Sequence, residues 1–281
     1  MIDLHTHTTA SDGTDTPFAL VNKALSAGIT VLGVTDHDTT SGWEEAISAA
    51  RKPISLALGA EISTLTEDGI SVHMLGLLFD GENSEIQAML SDARDTRIPR
   101  MKKMVELLRN DGFAITMEDV IAATPEGATL GRPHLADALV KNGVVKSRDE
   151  AFAELLTNDS KYYVTHAAPT PEDAIRQINQ AGGVAVIAHP FASRRGEVIS
   201  AATFTHLVSA GLHGIEVNHR DHSQAEREQL AQIADQLGLV KTGSSDYHGN
   251  GKLNELGENL TDPEQWARLE SLASARRVVT K

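Results

Sequence analysis

The sequence predicts an α/β barrel, and three observations carry that expectation. Short apolar runs alternate with amphipathic segments of helical period along most of the chain. Residues with ligand chemistry stand at or just past the ends of successive apolar runs. The 281-residue length suits one large barrel domain, or one domain carrying an insertion. Repeated β-then-α units imply a parallel sheet, and reactive residues at strand C-terminal ends imply the mouth of a barrel.

The elements are read in chain order as follows. A strand over 2–5 precedes a helix that opens at Thr16-Pro17 and closes at Gly28, with proline near its first position and glycine just past its end. After a strand over 31–35, Ser41-Gly42-Trp43-Glu44 has the form of a capping box for a helix over 41–51. Strands near 54–59 and 70–78 follow, then a helix opening near Ser84 and Gln87. Thr170-Pro171-Glu172-Asp173 opens a helix ending at Gly182-Gly183. Strands over 184–188, 213–218 and 239–243, a helix over 223–237 and a last helix near 262–276 bring the strands to about seven. Between about 96 and 166 the alternation stops. The segment 97–110 places Met101, Met104, Val105 and Leu108 on one helical face, and 118–123, 133–141 and 148–156 read as short helices with no strands between them. The expected organisation is a barrel over 1–95 and 167–281, with an inserted helical cap over 96–166 above the mouth.

Composition narrows the function classes. Hydrophobic residues make up 41% and charged residues 23%, as in an ordinary globular protein. No apolar run approaches the about 18 residues of a membrane span, and residues 1–30 lack a basic-then-apolar leader, so no membrane partner is expected. The absence of cysteine excludes disulfides and thiolate ligands and fits a cytoplasmic location. The formal net charge of −14 opposes a broad phosphate-backbone surface, which argues against double-stranded DNA as a partner. It does not oppose a phosphoester-cleaving enzyme, because bound cations neutralise local acids. No Gly-rich phosphate loop or G-x-S-x-G elbow is present.

What remains is a metal-site pattern. Asp3-Leu4-His5-Thr6-His7 places two imidazoles side by side at a strand end, a forked pair of nitrogen ligands. Asp36-His37-Asp38, Glu61, His73, His189 and the pair Asp246 and His248 stand in or after later apolar runs. With Asp12, the candidate metal ligands are His5, His7, Asp12, His37, Glu61, His73, His189, Asp246 and His248. One ion takes about four to six ligands, so nine suggest two or three ions with a carboxylate such as Glu61 bridging. Nitrogen and oxygen donors suit Zn, Mn or Fe(II). Plainer readings exist for several of these: His73 alone reads as a core histidine, and Asp12 before Gly13 reads as a turn. Asp36 and Asp38 read as orienting an imidazole or a catalytic water, or as capping the helix near Ser41. Glu216 and His219 end another strand, and either can serve a site.

Four segments then resemble the motifs of the PHP (polymerase and histidinol phosphatase) phosphoesterases: Asp3-Leu4-His5-Thr6-His7-Thr8, Thr35-Asp36-His37-Asp38, Ala188-His189-Pro190 and Ser245-Asp246-Tyr247-His248-Gly249. The resemblance implies a distorted (β/α)7 TIM-like barrel holding two or three divalent metal ions (Mn, Fe or Zn) on the nine positions named. Asp12 stands where the family often has histidine. Gly131-Arg132-Pro133-His134 is similar to the group acting on nucleotides, which implies a phosphoesterase for 3′,5′-nucleoside bisphosphates, AMP-like monoesters or short RNA ends cut 5′-to-3′. The catalytic candidates are Asp36, Asp38 and His219. The candidates for gripping a small phosphorylated substrate are Arg132 and His134, with Arg194 and Arg195 from the loop after His189. The competing readings are a histidinol-phosphate phosphatase and a metal-binding module without catalysis. A plainer reading of Arg132 and His134 is a surface arginine and a helix-capping histidine.

Overall fold

Seven strands form a single sheet in chain order, β1 (Ile2–Asp3), β2 (Val31–Val34), β3 (Ser55–Leu65), β4 (Ser71–Leu77), β5 (Val184–Ala188), β6 (Gly214–Asn218) and β7 (Val240–Gly243). The computed structural model describes residues 1–165, 167–193 and 196–280. The two sheet edges meet where Thr6 bridges Tyr247 and the His7 N–H donates to the Tyr247 carbonyl at 2.8 Å, which nearly closes the barrel. Around it lie α1 (Pro17–Ser26), α2 (Trp43–Ala49), α3 (Ser84–Asn110), α4 (Met117–Ala123), α5 (Arg132–Lys141), α6 (Arg148–Glu154), α7 (Pro171–Gln180), α8 (Ala201–Ala210), α9 (Gln224–Leu237) and α10 (Pro263–Leu272). Among the described residues, no helix is long and apolar enough to cross a membrane.

Strand alternation decides which residues face the site. On β3, Leu56, Leu58, Ala60 and Ile62 pack outward among the helices, while Ala57 packs in the barrel interior. Glu61 shares the parity of Ala57 and so points inward. The same alternation on β4 sends Val72 and Met74 outward and Leu75 and Leu77 inward, with His73 on the inward set. On β6, Ile215 and Val217 go outward, leaving Glu216 inward.

The structure corrects the sequence-based expectation in four places. The sheet is mixed rather than parallel, because β4 runs antiparallel to both β3 and β5. The cause is the tight turn 66–70, where Thr66 N–H bonds the Ile70 carbonyl at 2.9 Å; a link this short joins only antiparallel strands. Ser41 caps nothing: α2 begins at Trp43 without a side-chain cap, and the Ser41 hydroxyl pairs with Thr39. Helix α8 occupies a stretch read as featureless. Finally, residues 84–110 form one continuous helix where two were expected. Pro99 sits inside it, where it removes one N–H from the hydrogen-bond ladder. The first half of α3 packs on the barrel through Ile86 and Leu90. Its second half, through Met101, Met104, Val105 and Leu108, belongs to a separate core with Ile115, Val120, Leu135, Leu139, Leu156 and Tyr162.

Candidate metal centre

Four donor atoms converge at the buried end of the barrel mouth. Glu61 Oε2 lies 3.1 Å from His5 Nε2 and 3.0 Å from His7 Nε2, and the two imidazole nitrogens are 3.0 Å apart. Asp246 Oδ1 lies 3.5 and 3.4 Å from the same nitrogens. Donors bound tetrahedrally at about 2.0–2.2 Å from a common ion lie about 3.3–3.6 Å apart, so these four are spaced to hold one. The other Glu61 oxygen faces away from them: Oε1 is 2.7 Å from His73 Nδ1 and 3.0 Å from His189 Nε2. A third group joins Asp12, His37 and His248 to His7. Asp12 Oδ1 is 3.3 Å from His248 Nε2, and Asp12 Oδ2 is 3.8 Å from His37 Nε2. All nine ligand candidates thus meet in one cavity, with Glu61 at its centre. Asp12 is a turn residue as well: at Gly13 a Cβ would come 2.5 Å from the His7 carbonyl oxygen, so only glycine lets the chain double back there.

The cavity is electrostatically incomplete. Burial pushes His37 down to about 3 and His248 down to about 4, which leaves both neutral with lone pairs to donate. Burial also opposes charge on His7, yet hydrogen bonds and charges from Asp246 and Glu61 hold it up to about 9; Glu61, Glu216 and Asp246 raise His5 in the same way. The carboxylates therefore call for positive charge, and protons on His5 and His7 are what a cation would displace. Buried His37 Nδ1, His219 Nε2 and His248 Nε2 make no hydrogen bond, although carboxylate oxygens lie 3.2–3.4 Å away. Nitrogens left unsatisfied in this way inside a carboxylate-lined cavity fit divalent metal ions. Among the described residues, three of the four non-glycine residues with positive φ are also here, Asp38 (52°), His189 (29°) and Asp246 (53°). Such backbone costs roughly 1–3 kcal/mol each and persists only where neighbours enforce it.

Comparison with known proteins agrees with this geometry. The PHP domain pattern matches residues 3–112. A 3′,5′-nucleoside bisphosphate phosphatase from Chromobacterium violaceum is 34% identical over 252 residues, covering 89% of this chain and 88% of that protein. The 5′-3′ exoribonuclease Rnm of Escherichia coli is 36% identical over 268 residues, covering 93% and 89%. The chain belongs to the PHP family. A solved Bifidobacterium adolescentis structure described as a metal-dependent phosphoesterase superposes with a TM-score of 0.92 at 42% identity, covering 97% of this chain and 96% of that one. This PHP protein is a metal-dependent phosphoesterase, a hydrolase acting on phosphoester bonds.

Within this PHP site, two of the expected catalytic residues are held by their neighbours. Asp36 accepts from the Thr8 N–H (2.7 Å) and hydroxyl (2.8 Å) and from Ser11 Oγ (2.7 Å). Asp38 accepts from the Ser63 N–H at 2.7 Å and forms a two-pronged ion pair with Arg97, at 3.0 and 2.6 Å. Neighbouring groups thus engage both oxygens of each carboxylate and fix their orientation, in keeping with the orienting role read from the sequence. Burial opposes charge on Asp38, but Arg97 outweighs it and holds the carboxyl below its usual value. His219 does reach the cavity: it is fully buried, with Nε2 3.4 Å from Asp246 Oδ2. His134 does not. Its Nδ1 accepts the Gly131 N–H at 3.0 Å, so it closes the start of α5, where its side chain cannot face a substrate. Arg132 donates to the Leu156 carbonyl (2.8 Å) and Asn158 Oδ1 (2.7 Å), with its guanidinium against the Phe152 and Tyr163 rings. Arg194 and Arg195 lie outside the described residues, although Gly196 just beyond them abuts Asn158.

Three contributors were missed or left open by sequence reasoning. Glu216 accepts from His5 Nδ1 at 3.2 Å and from the His189 N–H at 2.8 Å, which sets the direction in which both imidazoles point. The Asp-x-His spacing of later motifs gave no hint of it, but its inward strand parity could have. Arg97 and Lys252 were invisible. Lys252 Nζ lies 2.8 Å from Asp246 Oδ2.

Proposed function

We propose that this enzyme removes a phosphate from 3′,5′-nucleoside bisphosphates or from short RNA ends, using two or three divalent ions of the Mn, Fe or Zn class. The observation that carries the nucleotide reading is the reach of the similarity. Matches spanning 89% and 93% of the chain include most of the helical insertion, and the relatives so matched are named as nucleotide and RNA enzymes. An insertion-bearing nucleotide enzyme also accounts for Arg132, a guanidinium pre-oriented by Tyr163 and Asn158 to meet a second phosphate.

Each residue has a part in this reading. His5, His7, Glu61 and Asp246 hold the inner ion, Glu61 with His73 and His189 a second, and Asp12, His37 and His248 an outer third. Bound there, the ions supply Lewis acidity and lower the pKa of a water nucleophile. His219 is a hydrogen-bond donor to the departing oxygen. Its Nδ1 accepts the Asp221 N–H at 3.0 Å, so the ring N–H is on Nε2, which points towards Asp246 Oδ2 at 3.4 Å. That N–H can stabilise the negative charge on the departing nucleoside oxygen, which takes its proton from water. Lys252 offsets charge on the scissile group.

The test is a phosphate-release screen of metal-loaded protein against nucleoside bisphosphates, mononucleotides, short 5′-phosphorylated RNA and histidinol phosphate, with elemental analysis of the same sample. Preference for the bisphosphate or RNA with two or three ions per chain is expected. Preference for histidinol phosphate, or full activity with one ion, refutes the reading.

A further inference from the structure

We propose that the helical insertion completes the outer metal site: it grips the loop carrying Asp12 and so sets how tightly the outer ion is held, without affecting the inner one. The proposal rests on the multi-ion reading above.

Two carbonyls of the Asp12 loop are held by two donors from the insertion. The Thr129 N–H donates to the Ala10 carbonyl at 3.0 Å. Arg148 Nη1 donates to the Asp12 carbonyl at 3.3 Å. Arg148 is itself locked to Asp137 by two bonds of 2.5 and 2.6 Å, so its third arm is aimed rather than free. Carbonyls pinned on both sides of the Asp12 Cα fix the direction of its side chain, and with it the Asp12 carboxylate.

The same guanidinium also reaches the second loop of the outer site. A Cβ at Gly251 would lie 2.2 Å from Arg148 Nη1, so the arginine rests directly on the backbone that follows His248. That backbone is in turn tied to the Asp12 side, since the Thr14 and Gly251 N–H groups both donate to the His248 carbonyl, at 3.0 and 3.2 Å. Arg148 therefore sits where the Asp12 and His248 loops converge. The inner donors are built otherwise: Glu216 orients His5, and the β1–β7 seam holds His7. By reciprocity, whatever orders the insertion tightens the outer ion, and the outer ion tightens the insertion.

The test titrates Mn(II) into chelator-stripped protein, followed by calorimetry and by the magnetic resonance signal of free Mn(II). Amide exchange of residues 8–13 is measured in parallel. Arg148→Met should weaken the weakest binding phase by about 10–100-fold, leave the tighter phases unchanged and speed exchange in 8–13. Arg148→Lys should recover part of the loss. Gly251→Ala displaces the guanidinium while keeping the Arg148–Asp137 pair, and should repeat the selective loss even if Arg148→Met loosens the insertion. Unchanged phases in both Arg148→Met and Gly251→Ala, or equal weakening of all phases, overturn the proposal alone. A single phase in the unaltered protein overturns it together with the multi-ion reading.

Discussion

On its inner side the centre is held by strands and their immediate ends: His5, His7, Glu61 and Asp246 are at most 1% exposed, and Glu216 behind them is fully buried. On its outer side the His37 side chain is 13% and the Asp12 side chain 8% exposed, and Asp12 rides on a loop. The inner donors are spaced 3.0–3.5 Å apart; Asp12 stands 3.7–3.8 Å from His7 and His37. A rigid, dry inner side suits permanent charge stabilisation. An outer side that leans on loops and on the insertion suits adjustment to the substrate.

The comparison can be broken by mutation. The largest expected effect falls on the outer side. Arg97→Met leaves the buried Asp38 carboxylate without its partner, which should cost about 3–5 kcal/mol in denaturant unfolding. A loss under about 1 kcal/mol would mean that the outer side does not depend on this pair. Next is the inner side: Asp246→Asn should lower turnover by at least about 10²-fold, through lost charge stabilisation of the attacking and leaving oxygens. Near-normal turnover with full metal content would remove Asp246 from the inner set. His219→Ala should slow release of nucleoside leaving groups by about 10²-fold while sparing p-nitrophenyl phosphate, whose leaving phenolate spreads its own charge. Equal losses on both substrates would rule out a hydrogen bond from His219 to the leaving oxygen. Smallest is Arg132→Ala, expected to weaken bisphosphate substrates by about tenfold relative to p-nitrophenyl phosphate; equal KM changes on both would show that the arginine reads no second phosphate.

The candidate donors other than Asp12 were legible because strand period and apolar runs mark both where a strand ends and which face a residue takes. Their partners were not. Arg97 and Asp38 lie 59 residues apart in sequence and meet only after α3 has packed. The contacts of Thr129 and Arg148 end on backbone carbonyls, which every residue carries, so no side-chain pattern records them. Gly131-Arg132-Pro133-His134 read as a phosphate grip, yet its histidine serves the helix start, as the capping alternative had it. The reversal of β4 left a mark that went unread, the Asp68-Gly69 turn between two apolar runs.

Helix α3 has a mechanical consequence. At 27 residues it is roughly 40 Å long and belongs to both cores, so it acts as a stiff mast rather than a tether. The insertion cannot swing on α3 as a flap does on a flexible strap. To tilt, it has to flex the mast, and the position of least stiffness is Pro99, where the ladder already lacks a rung. That point lies two residues beyond Arg97, whose grip on Asp38 clamps the base. Any bend there would tilt the insertion from a base that the Arg97–Asp38 pair holds fixed.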